Sequence, residues 1–111
     1  DEALEVLRQV AADLPEAAEV EVLGVPTFRV ATRSFAVVEV ADGCPVVRVK
    51  VSVAEQERLL ADDRYRRDEE TGVHGWTSLR VDLSDVDSMR TLLISGYRNV
   101  APEHLGSQVS L

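Results

Sequence analysis

The chain opens with an amphipathic repeat. Leu4, Leu7, Val10 with Ala11, and Leu14 recur every three to four residues, while Glu2, Glu5, Arg8 and Asp13 fall between them, so one helix ending at Pro15 is predicted. From Glu19 the period changes to two: Val20 and Val22 alternate with Glu19 and Glu21 up to a turn at Gly24-Val25-Pro26. Thr27-Phe28-Arg29-Val30 alternates again, Ala31 to Ser34 reads as a turn, and Phe35 to Val40 forms a β-branched run, so these two strands make a hairpin. Asp42-Gly43 marks a second tight turn before Val46 to Val51.

Ser52 and Glu55 have the spacing of a capping box, predicting a helix from Val53 to about Asp62 with Leu59 and Leu60 on its inner side. The following stretch, 62 to 72, mixes charges of both signs around one aromatic residue and reads as an exposed, mobile loop. Trp76 to Leu83 alternates as a fifth strand, with Thr77, Leu79, Val81 and Leu83 on one side. Ser84 is placed to cap a last helix, whose apolar stripe is Val86, Met89, Leu92, Leu93 and Tyr97, through about Val100. Ala101-Pro102 stops it, residues 1–105 read as a single domain, and 106–111 as a flexible tail.

The order α-β-β-β-β-α-β-α is that of an α+β fold: a five-stranded antiparallel sheet with helices on one face and the other face open to water. With 45% hydrophobic residues, a chain of 111 residues can bury a core without staples. No apolar run approaches the roughly 18 residues of a membrane span, and the first residues lack the pattern of a signal peptide, so a cytoplasmic protein is expected. One cysteine, Cys44, excludes an internal disulfide, and with His74 and His104 in separate segments there is no metal-ligand spacing; no cofactor or metal is expected. Cys44 has no cationic neighbour in sequence to activate it and reads as incidental.

Three segments resemble the MmcQ/YjbR family, in matching order and spacing over essentially the whole chain. They are Gly24-Val25-Pro26-Thr27-Phe28-Arg29-Val30, Gly72-Val73-His74-Gly75-Trp76 running into Leu79-Arg80-Val81-Asp82, and Tyr97-Arg98-Asn99-Val100-Ala101-Pro102 with Leu105. The resemblance implies the fold just described and a family name that includes DNA-binding. Two features depart from the family's pattern: residues 61–71 are charged where the family has a stretch with proline and aromatics, and the overall charge is −8.

Alternation gives the two sheet faces. Val20, Val22, Phe28, Val30, Leu79 and Val81 are assigned to the core side, so Arg29, Arg48, Lys50, Arg80 and Trp76 gather on the open side. Arginine grips phosphate oxygens in bidentate fashion and an indole stacks on a base, which is the chemistry of a nucleic-acid platform. The competing reading puts Glu19, Glu21 and Glu39 on the same side, where they neutralise the cations in cross-strand pairs. His74, between Gly72 and Gly75, reads either as a base or as a turn residue bonded to backbone, and Arg98 suits the negative end of the last helix whether or not it also binds. His74 has no nucleophile at a fixed spacing, and the adjacent acids Asp62-Asp63 and Glu69-Glu70 lack the separation that acid/base work needs, so no enzyme is expected.

Two functions follow as expectations: a non-enzymatic DNA-binding domain using Arg29, Arg48, Lys50, His74, Trp76, Arg80 and Arg98, or a protein-interaction module with no nucleic-acid binding. In either case the chain is expected to be a monomer or weak homodimer.

Overall fold

The structure is a computed structural model that describes residues 2–41, 43–81 and 85–109. Its elements are helices α1 (Glu2–Ala12), α2 (Val53–Leu59), α3 (Val86–Val100) and α4 (Glu103–Gly106), and strands β1 (Ala18–Val22), β2 (Val25–Val30), β3 (Arg33–Ala41), β4 (Cys44–Lys50), β5 (Tyr65–Arg67) and β6 (Trp76–Arg80). The architecture is α+β, with one antiparallel sheet of six strands in the order β1-β2-β3-β4-β6-β5. Among the described residues, no helix is long and apolar enough to cross a membrane.

The sixth strand is β5, inside the segment expected to be a mobile loop. Tyr65 pairs with Leu79 and is buried, and Arg66 and Arg67 continue the ladder opposite Ser78 and Thr77. Three residues are too short to show a period, so only the pairing with β6 reveals the strand. The turn after it is equally fixed, because Asp68 accepts hydrogen bonds from the Thr71 hydroxyl (2.6 Å) and amide (2.9 Å).

The core lies between α1, α3 and one face of the sheet. Leu7, Leu92, Leu93 and Tyr97 from the helices meet Phe28, Val30, Val47, Val49 and Leu79 from the strands, all of them buried. A bulge at Phe28/Arg29 sets two residues of β3, Phe35 and Ala36, opposite Phe28, and both are fully buried. Phe35 thereby reaches Tyr97 edge-on, with ring centroids 5.6 Å apart at 80°, and the Tyr97 hydroxyl donates to the Pro15 carbonyl at 2.5 Å.

Among the described residues, two helix caps are formed by side chains. Ser52 accepts from the Glu55 amide at 3.1 Å, the hydroxyl half of the capping box, while the Glu55 carboxylate pairs with Arg58, and α2 ends at Leu59 rather than Asp62. The N-cap of α3 is Asp85, which accepts from the Ser88 amide at 2.7 Å; the expected cap Ser84, the turn residue Asp42 and strand residues 82–83 lie outside the described residues. Residues 106–109, expected to begin a flexible tail, instead continue from α4, with Gly106 buried and Val109 packed on the core; 110–111 are outside the described residues.

Candidate functional site

Cross-strand register decides which side chains share the open face. Directly opposed residues in a sheet point the same way. Thr27 opposes Val37, Val37 opposes Arg48, Arg48 opposes Ser78, and Ser78 opposes Arg66, so one row runs across five strands. On either side of Arg48 lie the row Glu39, Val46 and Arg80 and the pair Lys50 and Trp76. Arg29 is two residues along β2 from Thr27, which sets it near the level of Lys50 and two strand spacings away, about 10 Å. The register therefore gathers Arg29, Arg48, Lys50, Trp76 and Arg80 on one surface. Val46 shares that face yet is buried, whereas Val47 and Val49 face the helices.

The expected face assignment of β1 is reversed. Glu19 opposes Phe28 and Glu21 opposes Pro26, so both glutamates lie on the helix side, while Val20 opposes Thr27 and Val22 opposes Val25 on the open side. Alternation alone misleads here because β1 is an edge strand whose valines stay partly or largely exposed, and helix α1 rewards a charge at its rim. Arg8 of α1 grips Glu19 with Nε and Nη2 at 2.6 and 2.9 Å, which lowers the Glu19 pKa below its ordinary value. Two of the three carboxylates expected to neutralise the open face are thus absent from it.

The third remains. Arg48 is ion-paired with Glu39 and lies 3.5 Å from Asp68, a counter-ion that the loop reading of residues 62–72 concealed. Bonds from Thr71, with help from Arg48, hold the Asp68 pKa below its ordinary value. Arg29 donates to the Thr32 carbonyl at 2.6 Å, and Arg80 donates to Cys44 Sγ at 3.1 Å. Cys44 therefore does have a cationic neighbour, contrary to the reading from sequence, because Arg80 is 36 residues away along the chain. Arg66, exposed on β5, joins the same face and was missed for the same reason as its strand. Among the described residues, the face carries five basic side chains (Arg29, Arg48, Lys50, Arg66 and Arg80) against the carboxylates of Glu39 and Asp68.

The other two candidates do not join the face. His74 is exposed in a single 3-10 turn, Gly72–His74, where its amide donates to the Thr71 carbonyl at 2.9 Å. Arg98 sits exposed in the last turn of α3, across the sheet from the open face, beside a shallow polar depression with Ser52, Glu55, Ser95 and Asn99. No group of three or more His, Cys, Asp and Glu residues placed to hold a metal occurs among the described residues.

Fold and surface together define a small α+β domain with a sheet uncovered on one side and locally rich in arginine. No family model matches the chain, and no curated protein matches it. Among solved structures it is similar to Deinococcus radiodurans protein DR2400, a DUF419 domain, with a TM-score of 0.72 at 18% identity over 86% of this chain and 75% of that one. DUF419 is the MmcQ/YjbR-like family, so the structural neighbour carries the fold that the three motifs implied.

Proposed function

We propose that the chain is a small non-enzymatic nucleic-acid-binding domain of the MmcQ/YjbR type, holding DNA on its open sheet face. The observation that carries this reading is the register of β1, which takes Glu19 and Glu21 to the helix side and leaves, among the described residues, Glu39 and Asp68 as the carboxylates against Arg29, Arg48, Lys50, Arg66 and Arg80 on the face that carries Trp76. Guanidinium groups spread over four strands match successive phosphates, and a half-buried indole beside Lys50 offers a stacking surface for a base. A flat β surface suits a single strand, whose bases are free to stack, better than a duplex, whose bases are edge-on in the grooves.

The net charge of −8 opposes the approach of a polyanion, so binding depends on the local field of the face and weakens steeply with salt. Titrating a labelled single-stranded oligonucleotide at low and moderate salt, with Trp76 as an intrinsic reporter, tests the reading. Binding with quenching of Trp76 fluorescence is expected, and Lys50→Glu combined with Arg66→Glu should abolish most of it. Removing one phosphate-binding cation should reduce the slope of log affinity against log salt by about 0.7 for a single strand. No interaction at low salt, or binding indifferent to both substitutions, overturns the proposal.

The second reading, a protein-interaction module, draws on a different surface, the outer edge of β1.

A further inference from the structure

Strand β1 is the terminal strand of the sheet and pairs on one side only, with β2. Along its outer side every second residue directs an amide and a carbonyl away from the sheet, and among the described residues no other backbone segment bonds them. Such an edge is a template for another strand, and proteins normally blunt it with charge, proline or a covering element. Here the edge is a five-residue strand that carries Glu19 and Glu21 but no proline, and it leads into an apolar tip: Val22 is 45% exposed and Leu23 99% exposed.

Leu23 and Gly24 form the two-residue turn into β2, with φ of +51° and +80°. Such a turn favours Asn-Gly or Asp-Gly, because the first residue must adopt a left-handed backbone that strains a leucine. A leucine at this position gains no burial from the fold. The turn therefore presents a large apolar side chain at a conformational cost that stability within this chain does not explain.

Charge identifies the occupant. Glu19 and Glu21 line the helix side of the edge, and among the described residues only Glu19 of the two is engaged, by Arg8. Twofold antiparallel self-pairing centred on Glu19, Val20 or Glu21 places glutamate opposite glutamate, which disfavours a second copy. Nucleic acid is repelled by the same carboxylates. An incoming strand that alternates apolar residues with Lys or Arg suits these features: its apolar residues lie against Val20 and Val22 and cover Leu23, and a cation meets Glu21, next to the Arg8–Glu19 pair. We infer that the outer edge of β1 is a docking site for an extended, basic segment of a partner protein, added antiparallel to the sheet as a further strand.

The test uses the full chain and two end-capped seven-residue peptides, one alternating Val with Lys and Arg, the other with Glu replacing each base. The basic peptide is expected to bind, slowing amide hydrogen exchange in β1, and the acidic one not to bind. Glu21→Lys should weaken the basic peptide by about tenfold or more, and Lys50→Glu on the open face should leave it unchanged. Leu23→Asn should also weaken binding while holding or raising the melting temperature, since Asn suits the turn, so misfolding does not mimic the result. Equal binding of both peptides, binding of neither, or protection confined to the open face overturns the inference. A concentration-dependent dimer that Leu23→Asn dissolves would assign the edge to a second copy and overturn it as well.

Discussion

At Gly75 the backbone has φ of +97°, and a Cβ there would lie 1.9 Å from the Val51 carbonyl oxygen. The approach is close because the Val51 amide donates to the Gly75 carbonyl at 3.1 Å, tying the turn to the end of β4. The turn is held from below by Gln56, fully buried, whose Nε2 shares its two hydrogens among the carbonyls of Gly72 (3.0 Å) and Trp76 (3.1 Å) and the Thr77 hydroxyl (3.1 Å). Gly75→Ala combines a left-handed strain with an overlap against backbone, and a loss of about 3 kcal/mol or more in denaturant unfolding is expected. Unchanged stability would mean that the turn can move away from Val51. The need for glycine was visible in Gly72-Val73-His74-Gly75; the role of Gln56 was not, because its partners are 16 to 21 residues distant. Asp68 is a second residue whose surroundings set a measurable property. Its pKa is lowered, first by the Thr71 hydroxyl bond, so its contribution is present above the ordinary carboxylate range and is lost as pH falls through the lowered value. Asp68→Asn should reduce stability at neutral pH and flatten the decline below about pH 4, measured as melting temperature against pH. An acid limb as steep as that of the parent chain would contradict this.

Among the elements, α3 and β4 define how closely the helix layer can approach the sheet. A Cβ on Gly96 would fall 2.1 Å from Val49 Cγ1 and 3.3 Å from the Phe35 carbonyl oxygen. Alanine in a helix interior gains up to about 1 kcal/mol over glycine in intrinsic propensity, but overpacking a filled core costs about 1–3 kcal/mol. Gly96→Ala should therefore destabilise on balance, with a lower denaturant midpoint; a higher midpoint would show that α3 can lift from β4 at little cost. The seam also depends on the β2/β3 bulge, which turns Phe35 as well as Ala36 into the helix layer. Neither the bulge nor β5 could be inferred locally. Phe35 to Val40 reads as an ordinary strand, and Tyr65–Arg67 reads as part of a charged loop until β6 supplies its partner.

Across the whole molecule, a surplus of acidic residues coexists with an arginine-bearing face because the sheet separates two surfaces. Glu19 and Glu21 fall on the helix side of β1, and Arg29, Arg48, Lys50, Arg66 and Arg80 fall on the other. The two proposed binding surfaces differ in the same way: the open face suits phosphate, and the β1 edge suits a basic strand. Periodicity and turn residues alone determined the α+β class and the main helices and strands, since alternation is a local property of the backbone; they led to the expectation of Arg29, Arg48, Lys50, Trp76 and Arg80 on one face, which cross-strand register then fixed. Tertiary structure decided the sixth strand, the reversed β1, the nearness of Arg80 to Cys44, and the separation of Arg98 from the face. Those depend on register between strands and on which layer each element joins, and hydrogen bonds between distant segments fix both.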